Sequence, residues 1–403
     1  MTRTAHRLCP LCGYREVRVL HAMRFAMAAE SPLPPAYDVA ACARCEFVYA
    51  DTPGSVEAYE RHYAEHSRYE DPAVATGGGD APADRRRLAE VADWIAARLP
   101  TDAGVLDIGC ANGGLLKALR KRGFGNLAGV DPAAGCVARL RSQGMQAWQG
   151  TLTRLPAEAA GFDLIILSHV LEHVLNAGEA LRAVRARLAA GGHLYLETPD
   201  ASRYSDRPFV PFYFFDSEHI NHFDGASLVA LGGRCGYARA ERDDSEIELE
   251  NGFAYPVARV LLKMWAPQGA ETAALDAEPT TLTILREAVE DYIAESRRRA
   301  QDPALDAIAD GTAPLVLWGA GSYAQRLLAG SPLSRAKFVA VIDRDRNKQG
   351  LHFAGCEVTA PETGLRGLPN GAVVIVAAAL ASEAISAECR RLGIACHVPA
   401  GAS

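Results

Sequence analysis

Apolar and polar positions along this chain come in blocks whose period switches between that of a helix and that of a strand. From Arg85 to Leu99 the apolar residues recur at helical spacing. A short apolar run follows from Gly104 to Ile108, holds Asp107, and leads into the turn Gly109-Cys110-Ala111-Asn112-Gly113-Gly114. Leu115 to Arg122 reads as an amphipathic helix, and Leu127 to Asp131 as a second apolar strand that ends in an acid. Further strands are expected at Phe162 to Leu167 and Gly191 to Pro199, and a helix from Ser227 to Gly232. The acidic stretch from Glu241 to Glu250 reads as a spacer or dimer surface ahead of a helix from Thr281 to Arg299. A second series places strands at Pro314 to Trp318, Phe338 to Asp343 and Ala372 to Leu380, with a last helix from Ser382 to Leu392. Strands alternating with helices predict an α/β protein. Three parts are expected: residues 1–75, 76–300 and 301–403.

Composition narrows the class. Hydrophobic residues make up 49% and charged residues 23% of 403 residues, which suits a globular chain of two or three domains. The longest apolar run, Ala372 to Ala381, is too short for a membrane span, and the first residues lack a signal-peptide pattern. A cytoplasmic protein with no membrane partner is expected. The net charge of -7 argues against a nucleic-acid partner, whose phosphates call for a basic face. The triplets Arg85 to Arg87 and Arg297 to Arg299 read as solvated helix faces.

Four of the ten cysteines form two CxxC pairs, Cys9 with Cys12 and Cys42 with Cys45. Each pair makes a tight turn that aims two sulfurs at one point, so the four predict a structural Zn2+ site with a closed shell. A polar, aromatic stretch follows, from Tyr59 to Tyr69. It is either a helix that docks on the next domain or a lid whose tyrosines, Tyr63 and Tyr69 among them, reach a polar substrate.

The glycine-rich turn reads D-x-G-C-x-x-G rather than G-x-G-x-x-G, and an acid stands at its start. A pyrophosphate would not favour that acid, whereas a sulfonium with an amino group would. With the second acid, the Phe162 strand that runs into Ser168-His169-Val170-Leu171-Glu172-His173, and the Gly191-Gly192 strand, the order resembles class I S-adenosylmethionine-dependent methyltransferases. The resemblance implies a class I methyltransferase Rossmann-like domain between an N-terminal zinc-binding segment and a second, C-terminal Rossmann-like domain. It implies that Asp107, Gly109, Cys110 and Gly113 hold the methionine part of the cofactor and that Asp131 holds the ribose hydroxyls. Thr151 and Leu152 would reach the adenine, and Ser168 and His169 would close the far side.

Methyl transfer from a sulfonium needs a positioned nucleophile and a base. The richest histidine cluster is Asp216-Ser217-Glu218-His219-Ile220-Asn221-His222-Phe223. A metal reading of Glu218, His219 and His222 is disfavoured, because adjacent side chains point different ways. This loop, taken with the cysteine pairs, is similar to bacterial three-part methyltransferases that include the C-methyltransferases of nucleotide-linked ketosugars. That similarity implies His219 as the base that removes a proton beside a ketone, with Glu218 and His222 near it. The expected substrate contacts are Tyr63, Tyr69, His173, Asp216 and Asn221. Those sugar enzymes usually carry Tyr where this chain has Asp216, which keeps O- and N-methylation open.

The C-terminal turn Gly319-Ala320-Gly321-Ser322-Tyr323-Ala324 allows an NAD reading, though a lone motif of this kind is weak. The resembled family does no redox chemistry there and uses the domain to help hold substrate. The leading expectation is therefore a methyltransferase for a small polar molecule, most concretely a nucleotide-linked sugar. The alternatives are a zinc-finger rRNA base methyltransferase and a non-catalytic cofactor-binding module. The sequence leaves the oligomeric state open.

Overall fold

The structure is a computed structural model that describes residues 2–65, 82–206, 209–248, 253–264 and 279–401. The chain opens with an antiparallel meander of β1 (Thr2–Thr4), β2 (Glu16–Arg24), β3 (Ala36–Cys42) and β4 (Val48–Asp51). Its inward positions, such as Val17, Met23 and Val39, are buried, while the charged positions of β2 stay outside. Helix α1 (Val56–Glu65) follows.

The central sheet begins with α2 (Pro82–Ala96) packed beside β5 (Val105–Ile108). Next come α3 (Gly114–Arg120), β6 (Leu127–Asp131), α4 (Ala134–Ser142) and β7 (Gln146–Gln149). The chain continues through β8 (Phe162–Ser168), α5 (Ala177–Arg185) and β9 (Leu188–Pro199). The two-residue strand β10 (Asn221–His222) leaves this sheet, and α6 (Gly225–Arg234), β11 (Tyr237–Glu248) and β12 (Ala254–Met264) complete it. The order is β11-β12-β9-β8-β5-β6-β7. Five strands run parallel, whereas β12 is antiparallel to β9 and β11 to β12. Alternate side chains feed two cores, Leu106, Ile165 and Leu167 on one face and Val105, Leu164 and Ile166 on the other. Burial on both faces accounts for the nearly unbroken apolar runs of these strands.

The acidic stretch expected as a spacer is strand β11. It sits at the sheet edge, where charges tolerate solvent and find partners, such as Arg98 on Glu241 and Arg203 on Glu246. Helix α7 (Pro279–Arg299) lies on the first sheet, where Arg286 reaches Glu46 and Arg297 reaches His21.

The third unit starts with α8 (Ala304–Asp310) and β13 (Leu315–Trp318). It continues with α9 (Ser322–Gly330), β14 (Phe338–Ile342), β15 (His352–Phe353) and β16 (Cys356–Thr359). It ends with α10 (Pro361–Gly364), β17 (Val373–Val376), α11 (Ser382–Leu392) and β18 (Ala395–His397). The sheet order is β15-β16-β14-β13-β17-β18. Strand β17 stops at Val376, earlier than its apolar run suggests, and just beyond it Gly319 packs on the backbone of Ala377 and Ala378. No helix among the described residues is long and apolar enough to cross a membrane.

One partly buried side chain ties the first unit to the second. The Arg7 guanidinium donates to the carbonyls of Ala50 at 2.9 Å, Leu175 at 3.0 Å and Ile220 at 2.7 Å, and to Oδ1 of Asn221 at 2.6 Å. Asn221 passes the link on, its Nδ2 donating to the carbonyls of Leu171 at 3.0 Å and Val174 at 2.7 Å. Burial draws the guanidinium down to about 10. Replacing Arg7 by Leu strands four acceptors and is expected to cost on the order of 3 kcal/mol. A drop in the midpoint of urea unfolding checks this; an unchanged midpoint would show that water replaces the guanidinium.

Candidate functional site

A cavity of about 400 Å3 opens at the carboxyl ends of β5, β6 and β8, where α/β sheets hold their ligands. All three parts of the chain line it: Tyr63 on α1, the strand ends of the central sheet, and Ser322 and Leu380 of the third unit.

One end is built from glycine and acid. Gly109 has φ +76°, and a Cβ on it would fall 2.6 Å from Cγ2 of Val170, so backbone alone fits there. Asp131 faces the cavity with both oxygens held, Oδ2 by the amide of Ala111 at 2.8 Å and Oδ1 by that of Ala133 at 2.9 Å. Thr151 and Leu152 line the cavity beside it, and the Thr151 hydroxyl donates to Glu60 of α1 at 2.9 Å. Asp107, Cys110 and Gly113, expected to hold the cofactor, do not line the cavity. Gly113 caps α3 in the left-handed region, Cys110 packs in the core, and Asp107 is buried beneath the turn. Burial, and then the neighbouring Asp131, push the Asp107 carboxyl up to about 8.

A buried charge network forms one wall. Glu197, fully buried on β9, accepts from Arg87 at 3.0 Å, Arg259 at 2.6 Å, Ser168 at 3.0 Å and Tyr195 at 2.8 Å. His169, at φ +54°, lines the cavity with Nδ1 3.2 Å from Glu172 and Nε2 3.3 Å from Glu197. Burial alone would lower the imidazole, but the two carboxylates outweigh it and hold it above its usual value. Arg87 therefore departs from the expectation of a solvated arginine triplet: it is 7% exposed and lines the cavity.

The other end is built from imidazoles. His173 and His219 line the cavity with ring centroids 4.8 Å apart. Nδ1 of His173 lies 2.8 Å from the Tyr63 hydroxyl and 3.1 Å from the carbonyl oxygen of Glu218. Asp216 also lines the cavity, and its Oδ1 accepts the amides of Glu218 at 2.9 Å and His219 at 2.8 Å, fixing the loop.

Other expected residues lie elsewhere. The Glu218 carboxylate is 3.6 Å from Nε2 of His62 on α1 and does not line the cavity. His222 is fully buried on β10 beside Tyr204 and Phe215, and burial brings it down to about 3. Asn221 is 1% exposed and spent on Arg7 and two carbonyls. Both are thus structural in place rather than at the cavity, because the loop becomes a strand after His219 and pairs Asn221 with Tyr49. Tyr69 lies outside the described residues. Sequence reasoning missed Arg87, Glu172 and Glu197 as parts of the site. A charge inside the apolar strand Leu194-Tyr195-Leu196-Glu197 was the available signal.

The four N-terminal cysteines converge. Sγ of Cys9 is 3.6 Å from that of Cys45, and Sγ of Cys12 is 3.5 Å from that of Cys42. All four sulfurs lie within 4.8 Å of one another. Zn–S bonds of about 2.3 Å in a tetrahedron place sulfurs a little under 4 Å apart, so the donor set fits one ion. Each CxxC turn closes by an amide-to-carbonyl bond, Gly13 to Cys9 at 2.9 Å and Glu46 to Cys42 at 3.0 Å.

Residues 83–240 match the family model of the methyltransferase domain. The ubiquinone biosynthesis O-methyltransferase of Xanthomonas axonopodis pv. citri is 38% identical over 114 residues, which is 26% of this chain and 47% of that protein. The ribosomal protein L11 methyltransferase of Bordetella parapertussis is 33% identical over 127 residues, or 31% of this chain and 39% of that one. The chain thus spans less than half the length of these curated relatives. Among solved structures, an S-adenosylmethionine-dependent methyltransferase from Mesorhizobium loti is 20% identical, covers 44% of this chain and 99% of its own, and has a TM-score of 0.35. The methyltransferase CcbJ from Streptomyces caelestis is 14% identical, covers 51% and 99%, and has a TM-score of 0.40. The central unit has the Rossmann-like methyltransferase fold.

Asp107 yields a pH prediction. Its carboxyl holds a proton more tightly folded than unfolded, so its contribution is full below the unfolded value of about 4 and is lost as pH climbs through the folded value. Asp107→Asn is therefore expected to melt higher than the parent at pH 7.5 and to lose that advantage toward pH 4. Thermal melts across that range check it; a constant difference would show that Asp107 is not strained by burial.

Proposed function

We propose that this chain is an S-adenosylmethionine-dependent methyltransferase acting on a small polar substrate. The observation that carries the reading is a single cavity with a glycine-and-acid end and an imidazole end. The residues present fit the cofactor. Gly109 lines the cavity with bare backbone, Asp131 is braced to receive two hydroxyls, and Thr151 and Leu152 line the wall beside it where a base would lie. Asp107 is buried off the cavity, so Asp131 is the acid left to meet the cofactor. When bound, S-adenosylmethionine supplies a methyl group activated on a sulfonium. The chain's own residues position the acceptor and take its proton. His219 is the proposed base, held by the Asp216 carboxylate through its backbone amide. Tyr63 and the Glu218 carbonyl fix the tautomer of His173 beside it.

The most concrete substrate is a nucleotide-linked sugar of sugar or natural-product biosynthesis. A cavity that extends to Ser322 and Leu380 of the third unit supports a substrate longer than a lone sugar. Asp216 in place of an aromatic hydroxyl favours O- or N-methylation as the second reading. An rRNA base as substrate has less support: Arg87, the residue of the first triplet at the cavity, is committed to Glu197. The cysteine cluster is proposed to hold structural Zn2+.

Transfer of a carbon-13 methyl from labelled cofactor to a panel of nucleotide-linked sugars tests the reading, and the product's methyl shift reports carbon, oxygen or nitrogen. Label that enters RNA and no small molecule would overturn it. His219→Ala is expected to lower kcat by about a hundredfold or more with cofactor affinity kept. Asp131→Ala is expected to weaken cofactor binding roughly tenfold to a hundredfold by calorimetry. Chelating the cysteine-bound metal is expected to unfold the first unit and, through the β4–β10 pairing, to abolish transfer; activity that survives full metal loss would separate the cluster from the site.

A further inference from the structure

The imidazole end of the cavity holds more than a base. One donor atom from each of Glu172, His173 and His219 lies within 4.8 Å of the other two. Two atoms of these residues have no hydrogen-bond partner among the described residues although they are buried, Oε2 of Glu172 and Nδ1 of His219. Glu172 is 1% exposed, so a carboxylate oxygen left without a protein partner there is costly. We propose that Glu172, His173 and His219 bind a divalent transition-metal cation, with its remaining coordination positions turned to the substrate.

The surrounding bonds are those a ligand set needs. A metal-ligating histidine usually gives its other ring nitrogen to a carbonyl or carboxylate. Nδ1 of His173 does so: the Glu218 carbonyl, which only accepts, lies 3.1 Å away, and Nε2 is left with its lone pair. Oε1 of Glu172 is occupied by His169 at 3.2 Å, which leaves Oε2. The Glu172 main chain is fixed as well, its carbonyl accepting from Ile220 at 2.9 Å. Donors about 2.0–2.2 Å from an ion sit roughly 3–4 Å from one another, so a small rotation of the half-buried His219 side chain closes the set. Two imidazoles and one carboxylate with open positions select Mn2+, Fe2+, Co2+ or Zn2+ over Mg2+ or Ca2+. Such an ion would polarise a substrate carbonyl or lower the pKa of a hydroxyl. With the ion bound, the lone pair of His219 is committed to it, so His219 holds the ion rather than serving as the base; binding of the ion itself does not depend on the methyl-transfer reading.

The test uses full-length protein whose cysteine site is first filled with zinc. Mn2+ is titrated in and free Mn2+ counted by electron paramagnetic resonance; Co2+ is followed in parallel by visible absorption. One saturable equivalent is expected, with weak absorption lacking the thiolate charge-transfer band. Glu172→Gln and His219→Ala are expected to weaken it about tenfold or more with circular dichroism unchanged. His219→Ala, on a loop, keeps the test open if the Glu172 variant fails to fold. Absence of saturable binding of both ions, or binding that survives the His219 change, overturns the proposal. Loss of methyl transfer in Glu172→Gln without any metal bound would instead make the three residues a proton relay.

Discussion

The arrangement depends on one partly buried guanidinium. Arg7 leaves the first unit and ends on three backbone carbonyls and one side-chain amide drawn from three separate segments. A guanidinium whose hydrogen bonds go to neutral acceptors is costly to desolvate, and carbonyl dipoles offset that cost only when they are aimed together. The carbonyls of Leu175 and Ile220 belong to the two loops that carry His173 and His219. The bond that stabilises the cation is therefore also the bond that sets the spacing of the cavity's imidazoles.

What could be read from the sequence was what is local. The turn from Gly109 to Gly113 needs left-handed backbone that glycine supplies, and the CxxC spacing builds its own turn, so both were visible as strings. The cavity wall was not. Arg87 meets Glu197 across 110 positions of chain, and a triplet of arginines on a helix gives no sign of which one turns inward. Asn221 and His222 show the opposite failure. Their residue types suggested chemistry, but a two-residue pairing with β4 buries both, and pairing between distant segments leaves no periodic trace. The charges of β11 hid a strand for a related reason, since an edge position removes the apolar alternation that marks a strand.

The two Rossmann-like units use the same local device to different ends. In each, the acid that follows the second strand accepts the amide after the first glycine of the turn or its neighbour, Ala111 to Asp131 and Ala320 to Asp343, both at 2.8 Å. In the central unit that acid faces the cavity. In the third unit Lys348 takes Asp343 at 3.1 Å and also approaches Asp345, so the charge that would read a ribose is neutralised from within. The geometry of a dinucleotide turn is kept while its recognition group is spent, consistent with a unit that closes over the cavity through Ser322 and Leu380.

The pairing of β10 with β4 also bears on how the chain acquires its shape. The meander from β1 to β4 is made before the central sheet, yet its fifth strand arrives only after most of that sheet has been added. Until then the edge of β4 carries unpaired amides and carbonyls, a template for the wrong partner. Long-range closure of this kind raises contact order and slows the final step of folding. A fragment that ends before Asn221 would carry both the cysteine cluster and the glycine turn and still expose that edge, so the smallest piece that folds cleanly extends past the loop that carries His219.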